Sequence, residues 1–464
     1  MSGVAEASTS TASPVAAAPR ARRRAAPGDL SYRLDRDLVA RRASAEPDWL
    51  AADRMAALAS FDALPIEPNQ LYTGYVDLRA ARLADAVAWD GLDNGSDAST
   101  ELEPGLSALL GFDDHRVSVL AVDEAAREVG VTVEPLGALV ERDPGLARSL
   151  LTDAGSLPAD DRLAQLSRAA WSQGAFVHVP AGVVLEHPIV VRWAVGAPGR
   201  ALHVRSIVVL GDGAEASLVE EIVPSGAAVA GEQALLTATT EVRLGAHARL
   251  AMASLQESGP DQIVFQQRRA SVGEGSDLRW ALAQLGGRLV RSRVDNLLAG
   301  DRSTVEQVEI VFGAADQLHD LTSYTRHVGR DTTGELLSKG VLIDNARSYM
   351  KGLITIERSA IGTDSFLGEF GMNLTKTARA VAIPSLEIDQ PDCRRAAHSS
   401  SVGPIDEGQL FYLESRGIPA AEARKFIVMG FLEPVVARVP LEDARDRLRE
   451  ALETKWAAGS TGTT

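Results

Sequence analysis

The one cysteine of this 464-residue chain, Cys393, stands five positions before a histidine, His398, in DCRRAAHSSSVGPIDEGQLFYLESRGI (392–418). Thiolate and imidazole are both good ligands for iron and zinc. The four-residue gap is not that of a standard zinc pair, however. On an extended segment an odd offset also sends the two side chains to opposite faces. Cys393 therefore reads as a buried, inert thiol. His398 draws attention by its place, where a β pattern gives way to a helical one; its plainer reading is a polar residue at a domain junction. A single cysteine makes neither an internal disulfide nor a thiolate cluster, so the chain reads as cytosolic and any thiolate chemistry needs a second chain.

Other constellations fail on context. Gly211-Asp212-Gly213-Ala214-Glu215-Ala216 fits the dinucleotide fingerprint G-x-G-x-x-A. That fingerprint works only if a helix comes next and aims its N–H groups at a pyrophosphate. The next residues, SLVEEIV, have a strand pattern, so the stretch reads as a turn. No G-x-x-x-x-G-K-[ST] occurs, so any ATP-driven step belongs to another subunit. H-E-x-x-H, C-x-x-C and G-x-S-x-G are absent too. His319 and His327 are eight positions apart, an even offset that points both the same way along a strand. A hydrogen-bonded role is the plainer reading for each.

The elements that must position these residues change character along the chain. From about Leu30 to Leu166 the periodicity is helical. EPDWLAADRMAALASF (46–61) spaces Trp49, Leu50, Met55, Leu58 and Phe61 at helical intervals, and Leu64-Pro65 ends it. VDEAAREVGVTVEPL reads as helix then strand. DDRLAQLSRAAWSQG (160–174) reads as a helix with Asp160 as cap and Gly174 as stop. After Gly174 the period becomes two. β-rich runs alternate with turns of one texture at Gly213-Ala214, Gly245-Ala246, Gly275-Ser276 and Gly300-Asp301, with irregular spacing beyond Gly300. Repeats of this length without helices point to a β-solenoid, with a β-sandwich as the alternative. From Pro404 the pattern is helical again. Asp406 is an N-cap and Gly417 a C′ residue; Pro419 opens a second helix that closes near Gly430. A third helix, over Leu441–Trp456, carries Leu441, Ala444, Leu448 and Leu452 on one stripe.

The totals bound the function. A net charge of −16 argues against nucleic acid or an anionic membrane as partner, and no apolar run reaches a membrane-spanning length. A solenoid carbohydrate lyase or hydrolase is the enzymatic alternative. It needs gathered carboxylates and aromatic platforms, whereas only 5% of residues are aromatic and 175–400 shows no dense carboxylate cluster. The first 28 residues, Ser/Ala/Arg-rich without an apolar core, read as a disordered tail, with an organelle transit peptide as the alternative.

Taken together, these residues resemble the SufB/SufD family of iron–sulfur cluster assembly proteins, nearer its SufD branch. The resemblance spans about 30–440 and is most specific in the C-terminal third. There it rests on His319, Asp320 and His327, on Lys339-Gly340-Val341-Leu342, and on Ile383-Pro384-Ser385-Leu386-Glu387-Ile388. It continues through His398, Val402-Gly403-Pro404-Ile405-Asp406, Leu410-Phe411-Tyr412-Leu413 and Ser415-Arg416-Gly417-Ile418. Weaker matches are Glu46-Pro47, Trp49-Leu50 and GAFVHVP (174–180).

The resemblance implies a mainly β fold, a right-handed parallel β-helix flanked by N- and C-terminal helical domains. The implied division is a tail over 1–28, a helical (α/β) domain over 29–172, the β-helix over 173–402, a SufC-binding helical domain over 403–458 and a frayed tail over 459–464. It implies a non-enzymatic, cytoplasmic subunit in a complex with SufB, paired through the β-helices, and with the ABC-type ATPase SufC. For SufC the contact residues would be Leu410, Phe411, Tyr412, Leu413, Arg416, Gly417 and Phe431. A transient iron–sulfur cluster would form between His398 and a cysteine of SufB, with none bound stably. Homodimerisation without SufB is left open. The family commonly reads Cys-Ser-His-Gly-Ala-Thr where this chain has Ala396-Ala397-His398-Ser399-Ser400-Ser401, so no ligand role passes to Cys393. The lysine of the family's Val-Pro-Lys-Gly is Ala181. The ligand cysteine of SufB is not found, which sets a SufB-like scaffold behind a SufD-like subunit.

Overall fold

The structure is a computed structural model that describes residues 26–153 and 157–460. Most of the N-terminal tail, expected to be disordered, and the last four residues of the 459–464 tail, expected to be frayed, lie outside the described residues, whereas Gly459 and Ser460 belong to the last helix. Helix α1 (Arg36–Ala45) begins at Asp35, whose carboxylate accepts from the Asp37 N–H. Helix α2 (Asp48–Ala63) buries Leu50, Leu58 and Phe61 and ends at Leu64, before Pro65. Short helices α3 (Glu124–Glu128), α4 (Leu136–Arg142) and α5 (Pro144–Leu151) come next.

Helix α6 (Arg162–Ala170) is capped by Asp161, not by Asp160: Asp161 Oδ1 accepts from the Leu163 and Ala164 N–H groups, while Asp160 pairs with Arg293 at 3.0 Å. The helix stops at Trp171 rather than Gly174. Gly174 serves a different need, because a Cβ there would overlap the Arg205 carbonyl. The reading of this region as helices with a strand after VDEAAREVG also missed a hairpin. Strands Ala108–Asp113 and Arg116–Val122 pair antiparallel, and the first of them adds to the β-helix beside Ile189–Ala194.

From Ala175 to Pro404 sixteen strands wind into eight coils, each coil giving one strand to each of two sheets. Every pairing between coils is parallel, as in the registers Leu235↔Ile263↔Leu289↔Leu318↔Arg347↔Arg379. The sandwich alternative is excluded, since its sheets are antiparallel. These partners are 28, 26, 29, 29 and 32 residues apart, so the winding stays regular beyond Gly300.

Two columns of turn residues explain the Gly texture. Gly211, Gly245, Gly273, Gly300 and Gly329 stack at one corner, where a Cβ would come within 3.0 Å of backbone in the preceding coil. Close to it runs a column of left-handed residues: Gly182, Gly213, His247, Gly275, Arg302, Asp331 and Gly362, with φ between 54° and 76°. Their N–H groups climb the stack, as in Gly213 N to Ala246 O and Gly275 N to Asp301 O. The G-x-G-x-x-A stretch is one such turn, and it leads into the strand Glu215–Pro224.

Each sheet has the outer face of its inner coils covered, while the last coil is left open. The N-terminal segment lies over the sheet containing Leu318–His327. Beneath it Arg291 joins Asp320 at 2.5 Å and Glu67 at 2.7 Å, and Lys351 joins Asp320 at 2.5 Å, all four nearly or fully buried. Burial opposes ionisation of Asp320, but Arg291 and Lys351 outweigh it and hold the carboxyl below the usual range. Tyr72 closes the cluster, donating to the Gly352 carbonyl at 2.9 Å.

The other sheet is covered by helices α8 (Ala420–Val436) and α9 (Glu442–Ser460), while α7 (Glu407–Ser415) packs on α8. Val428, Leu432, Val435 and the α9 stripe Ala444, Leu448 and Leu452 pack on Ala253, Ala281, Val308 and Ile310. Helix α8 runs through Gly430, where a stop was expected, to Val436. Val428, Leu432 and Val435 continue one buried stripe across that glycine, which outweighs its cost of about 1 kcal/mol in a helix.

Candidate functional site: the open end of the solenoid

His398 lies within the last strand, Arg395–Pro404, rather than at a junction. The strand has a partner on one side only, Asp364–Asn373, and forms the edge of its sheet. The opposite sheet ends likewise at Arg379–Ile388. Register pairs His398 with Leu367, whose side chain faces the solenoid interior and is fully buried. Successive coils stack like on like, so His398 continues that inward column past the last covered coil, and there it is exposed.

The sequence folds this segment firmly up to that edge. In the preceding turn Gly362 N donates to Asp392 O and Arg394 N to Thr363 O, both at 2.8 Å. Arg395 Nε reaches Asp364 at 2.6 Å and its guanidinium also pairs with Glu335. Cys393 is half-buried rather than fully buried, and packs with Leu386 and Ala396 against Ile354, Ile356 and Leu367. Among the described residues no group of three or more His, Cys, Asp or Glu side chains is placed to hold a metal.

One rung inside the edge, Glu369 bridges the two sheets: its Oε2 accepts the Ile383 N–H at 2.9 Å. Burial pushes this carboxyl up to about 8, and the buried Glu309 two coils below up to about 7. His319 and His327 share a strand and a face, as their offset requires, and both are fully buried. His327 bonds to Thr332 at 2.8 Å and Ser365 at 3.1 Å, a structural role. Burial lowers its pKa to about 4, so it stays neutral.

The helical arm leaves directly from this edge. Asp406 accepts from Gln409 N at 2.9 Å and starts α7; Gly417, at φ 88°, ends it, with Ile418 N returning to Leu413 O. Of the predicted contact residues, Leu410 is buried and holds α7 in place, whereas Phe411 and Tyr412 are 72% and 56% exposed. The Arg416 guanidinium lies 5.2 Å from the Tyr412 ring. Leu413 lines, with Tyr412 and Ile427, an open cleft of about 490 Å³. Phe431 is set apart from this surface: its carbonyl accepts from Lys339 Nζ at 2.6 Å and its ring lies under the same amine, so it ties α8 to the solenoid. Sequence reasoning missed Phe426, 61% exposed on α8. Its signal was available, since it stands off the Val428, Leu432, Val435 stripe that α8 buries. The arm thus presents three large aromatic rings to solvent, which isolated surface residues of a monomer do not require.

Comparison with known proteins agrees with this architecture. The family described as SUF system FeS cluster assembly, SufBD core domain, matches residues 193–431, the span from the second solenoid strand into α8. The iron–sulfur cluster assembly protein SufD of Bacillus subtilis (strain 168) is 27% identical over 422 residues, 88% of this chain and 94% of that one. SufBD family iron–sulfur cluster assembly proteins of Staphylococcus epidermidis and Staphylococcus saprophyticus are each 27% identical over 286 residues, 62% of this chain and 61% of theirs. With its parallel solenoid and terminal helices, the chain belongs to the SufBD family of the SUF iron–sulfur cluster assembly system, on the SufD branch.

Proposed function

We propose that this chain is the SufD-type subunit of a SUF assembly complex, paired edge to edge with a SufB-type subunit and gripped through α7 and α8 by a SufC-type ATPase. The observation that carries this reading is the unguarded last coil. Strand edges are commonly blunted by charge, by proline or by a covering element. Here the ten-residue edge strand Arg395–Pro404 carries no charge after Arg395, has no proline before its last residue, and exposes seven of its ten residues. Such an edge accepts another strand through main-chain hydrogen bonds.

The nascent cluster is the cargo of this complex. His398 would supply one imidazole at the seam, where thiolates come from the partner, since this chain has a single, half-buried cysteine. The exposed rings of Phe411, Tyr412 and Phe426 supply the aromatic anchors typical of energetic centres in interfaces. ATP-driven closure of the ATPase pair would act on the arm. Because α7 begins shortly after the edge strand ends, a movement of the arm reaches the seam directly. The work of such a change comes from the ATPase binding the two arm positions unequally. The chain itself would perform no chemistry, and the complex would operate in the cytoplasm.

A disulfide trap tests the seam. In a Cys393→Ser background, His398→Cys should oxidise to a covalent heterodimer with a SufB-type subunit. A complex that forms but never cross-links would place His398 away from the partner's cysteines.

A further inference from the structure

The chain has only five lysines, and the structure gives four of them ordinary places. Lys351 is sealed in the Arg291–Asp320–Glu67 cluster. Lys339 is bonded to the Phe431 carbonyl. Lys425 pairs with Glu453 at 2.5 Å. Lys376 is exposed in the turn after Asp364–Asn373.

The fifth, Lys455, is set differently. It lies on α9 at the wall of an open cleft of about 510 Å³, shared with Glu257, Ser258, Gly286, Gln317, Arg447 and Thr454. Its Nζ rests on Gln317 Oε1 at 2.9 Å, and Gln317 is fixed in turn by its own Nε2 donating to the Gly287 carbonyl at 2.7 Å. Among the described residues no carboxylate lies within 4.0 Å of that amine. An ammonium that is partly buried and held by one neutral acceptor is less well stabilised than one in water, which shifts the balance towards the neutral amine.

We propose that Lys455 is an acyl-acceptor site, modified by a small activated acyl donor that enters the cleft between α9 and the solenoid turns. In the step the Nζ lone pair attacks the acyl carbon and forms the amide C–N bond. The bond from that carbon to the leaving group breaks, and the leaving group departs with its electron pair as phosphate or thiolate. The proton released from Nζ passes to water or to the Glu257 carboxylate.

The surroundings agree with this chemistry. Burial pulls the Lys455 amine down to about 7, against a smaller opposing effect of Glu257. Burial raises Glu257 as a proton acceptor in the same cleft. The other ionisable groups that face the amine are Arg447 and Glu450 on its own helix and the buried His319 of the solenoid strand. Arg447, already paired with Glu221, is the cation nearest to an anionic leaving group in this cleft. Acylation would place new bulk between α9 and the Gln317 turn and remove the cation from that contact. The site therefore bears on how α9 covers the sheet.

The experiment uses the folded full chain, limiting acetyl phosphate in one arm and a short acyl thioester in the other, and site-resolved mass spectrometry. At pH 7.5 Lys455 should be acylated faster than Lys376 by about tenfold or more, as desolvated lysines are the activated ones. Its rate should rise through a midpoint near 7, while that of Lys376 rises only towards the ordinary lysine range near 10. The faster arm identifies the donor class. Lys455→Arg should abolish the early label, and denaturant should erase the preference over Lys376. Equal labelling of the two lysines in the folded chain, in both arms, or a Lys455 profile with no midpoint below 9, would overturn the proposal.

Discussion

His398 stands in register with Leu367, one rung further along the same inward-facing column, yet Leu367 is fully buried and His398 exposed. The difference is that Leu367 has a coil on each side and His398 has none beyond it. An imidazole in this position is held by a backbone ladder but left open to whatever completes the stack. His398→Ala should therefore lower cluster assembly without changing the fold or the complex. The unfolding free energy of the isolated chain should move by no more than about 0.5 kcal/mol, as for other exposed substitutions. Normal assembly by the variant, measured by reconstitution of a cluster-dependent apo-enzyme, would remove His398 from the site.

On the arm, buried and exposed neighbours should separate stability from binding. Phe411→Ala should weaken binding of a SufC-type ATPase by about 2 kcal/mol, roughly thirtyfold in Kd, with the melting temperature unchanged. Leu410→Ala removes a buried side chain next to it and should loosen α7 itself, at a cost of about 2–5 kcal/mol to local opening. Calorimetric titration and amide exchange read the two effects. Undiminished ATPase binding by Phe411→Ala would move the contact elsewhere.

The glycine column makes a sharp steric prediction. Gly300→Ala sets a methyl group against the backbone of the Glu274 turn, whereas Gly226→Ala meets nothing within 4 Å. The first should destabilise by about 1–3 kcal/mol or more and the second by less than about 0.5 kcal/mol. Denaturant midpoints of the two variants decide the matter. Equal midpoints would mean that the coils are stacked more loosely than this corner requires.

Much of the architecture is legible in the sequence because its signals are local. The period-two runs, the Gly-rich turns, the Asp406 cap and the Gly417 stop each depend on neighbouring residues. What stayed hidden depends on distant ones. The hairpin Ala108–Val122 is held by pairing with Ile189–Ala194, some eighty residues on, and no local pattern announces that. The left-handed column hides at His247, Arg302 and Asp331, which carry side chains where a glycine would mark the turn. Asp160 and Asp161 are equivalent caps by residue type; Arg293, from the fourth strand of its sheet after Ala175–Val179, pairs with both carboxylates, and it is Asp161 that stands directly before the first helical residue. At the site, His398 was visible as a residue but not as the edge of a sheet, because an edge is defined by a strand that is absent.

Glu369 predicts a pH dependence. Its folded pKa, about 8, lies above the ordinary carboxylate value, so its contribution to stability is full below about 4.5 and is lost as pH rises through about 8. Asp320 acts in the opposite sense: its folded pKa is depressed, so its contribution is present above the ordinary value and is lost as pH falls. Glu369→Gln should flatten the loss of stability between pH 5 and 8.5, read from urea midpoints. A wild-type chain with no such loss would show that this carboxyl is ionised when folded.

A chain whose solenoid edge and aromatic arm both await partners should work only inside a SUF complex. The decisive measurement is co-expression with a SufB-type and a SufC-type subunit, followed by purification on a tag carried by this chain alone. One stable complex containing all three is expected, with the SufC-type subunit lost from the Phe411→Ala/Tyr412→Ala double variant. Recovery of the chain without either partner, at micromolar concentration and low salt, would contradict the assignment.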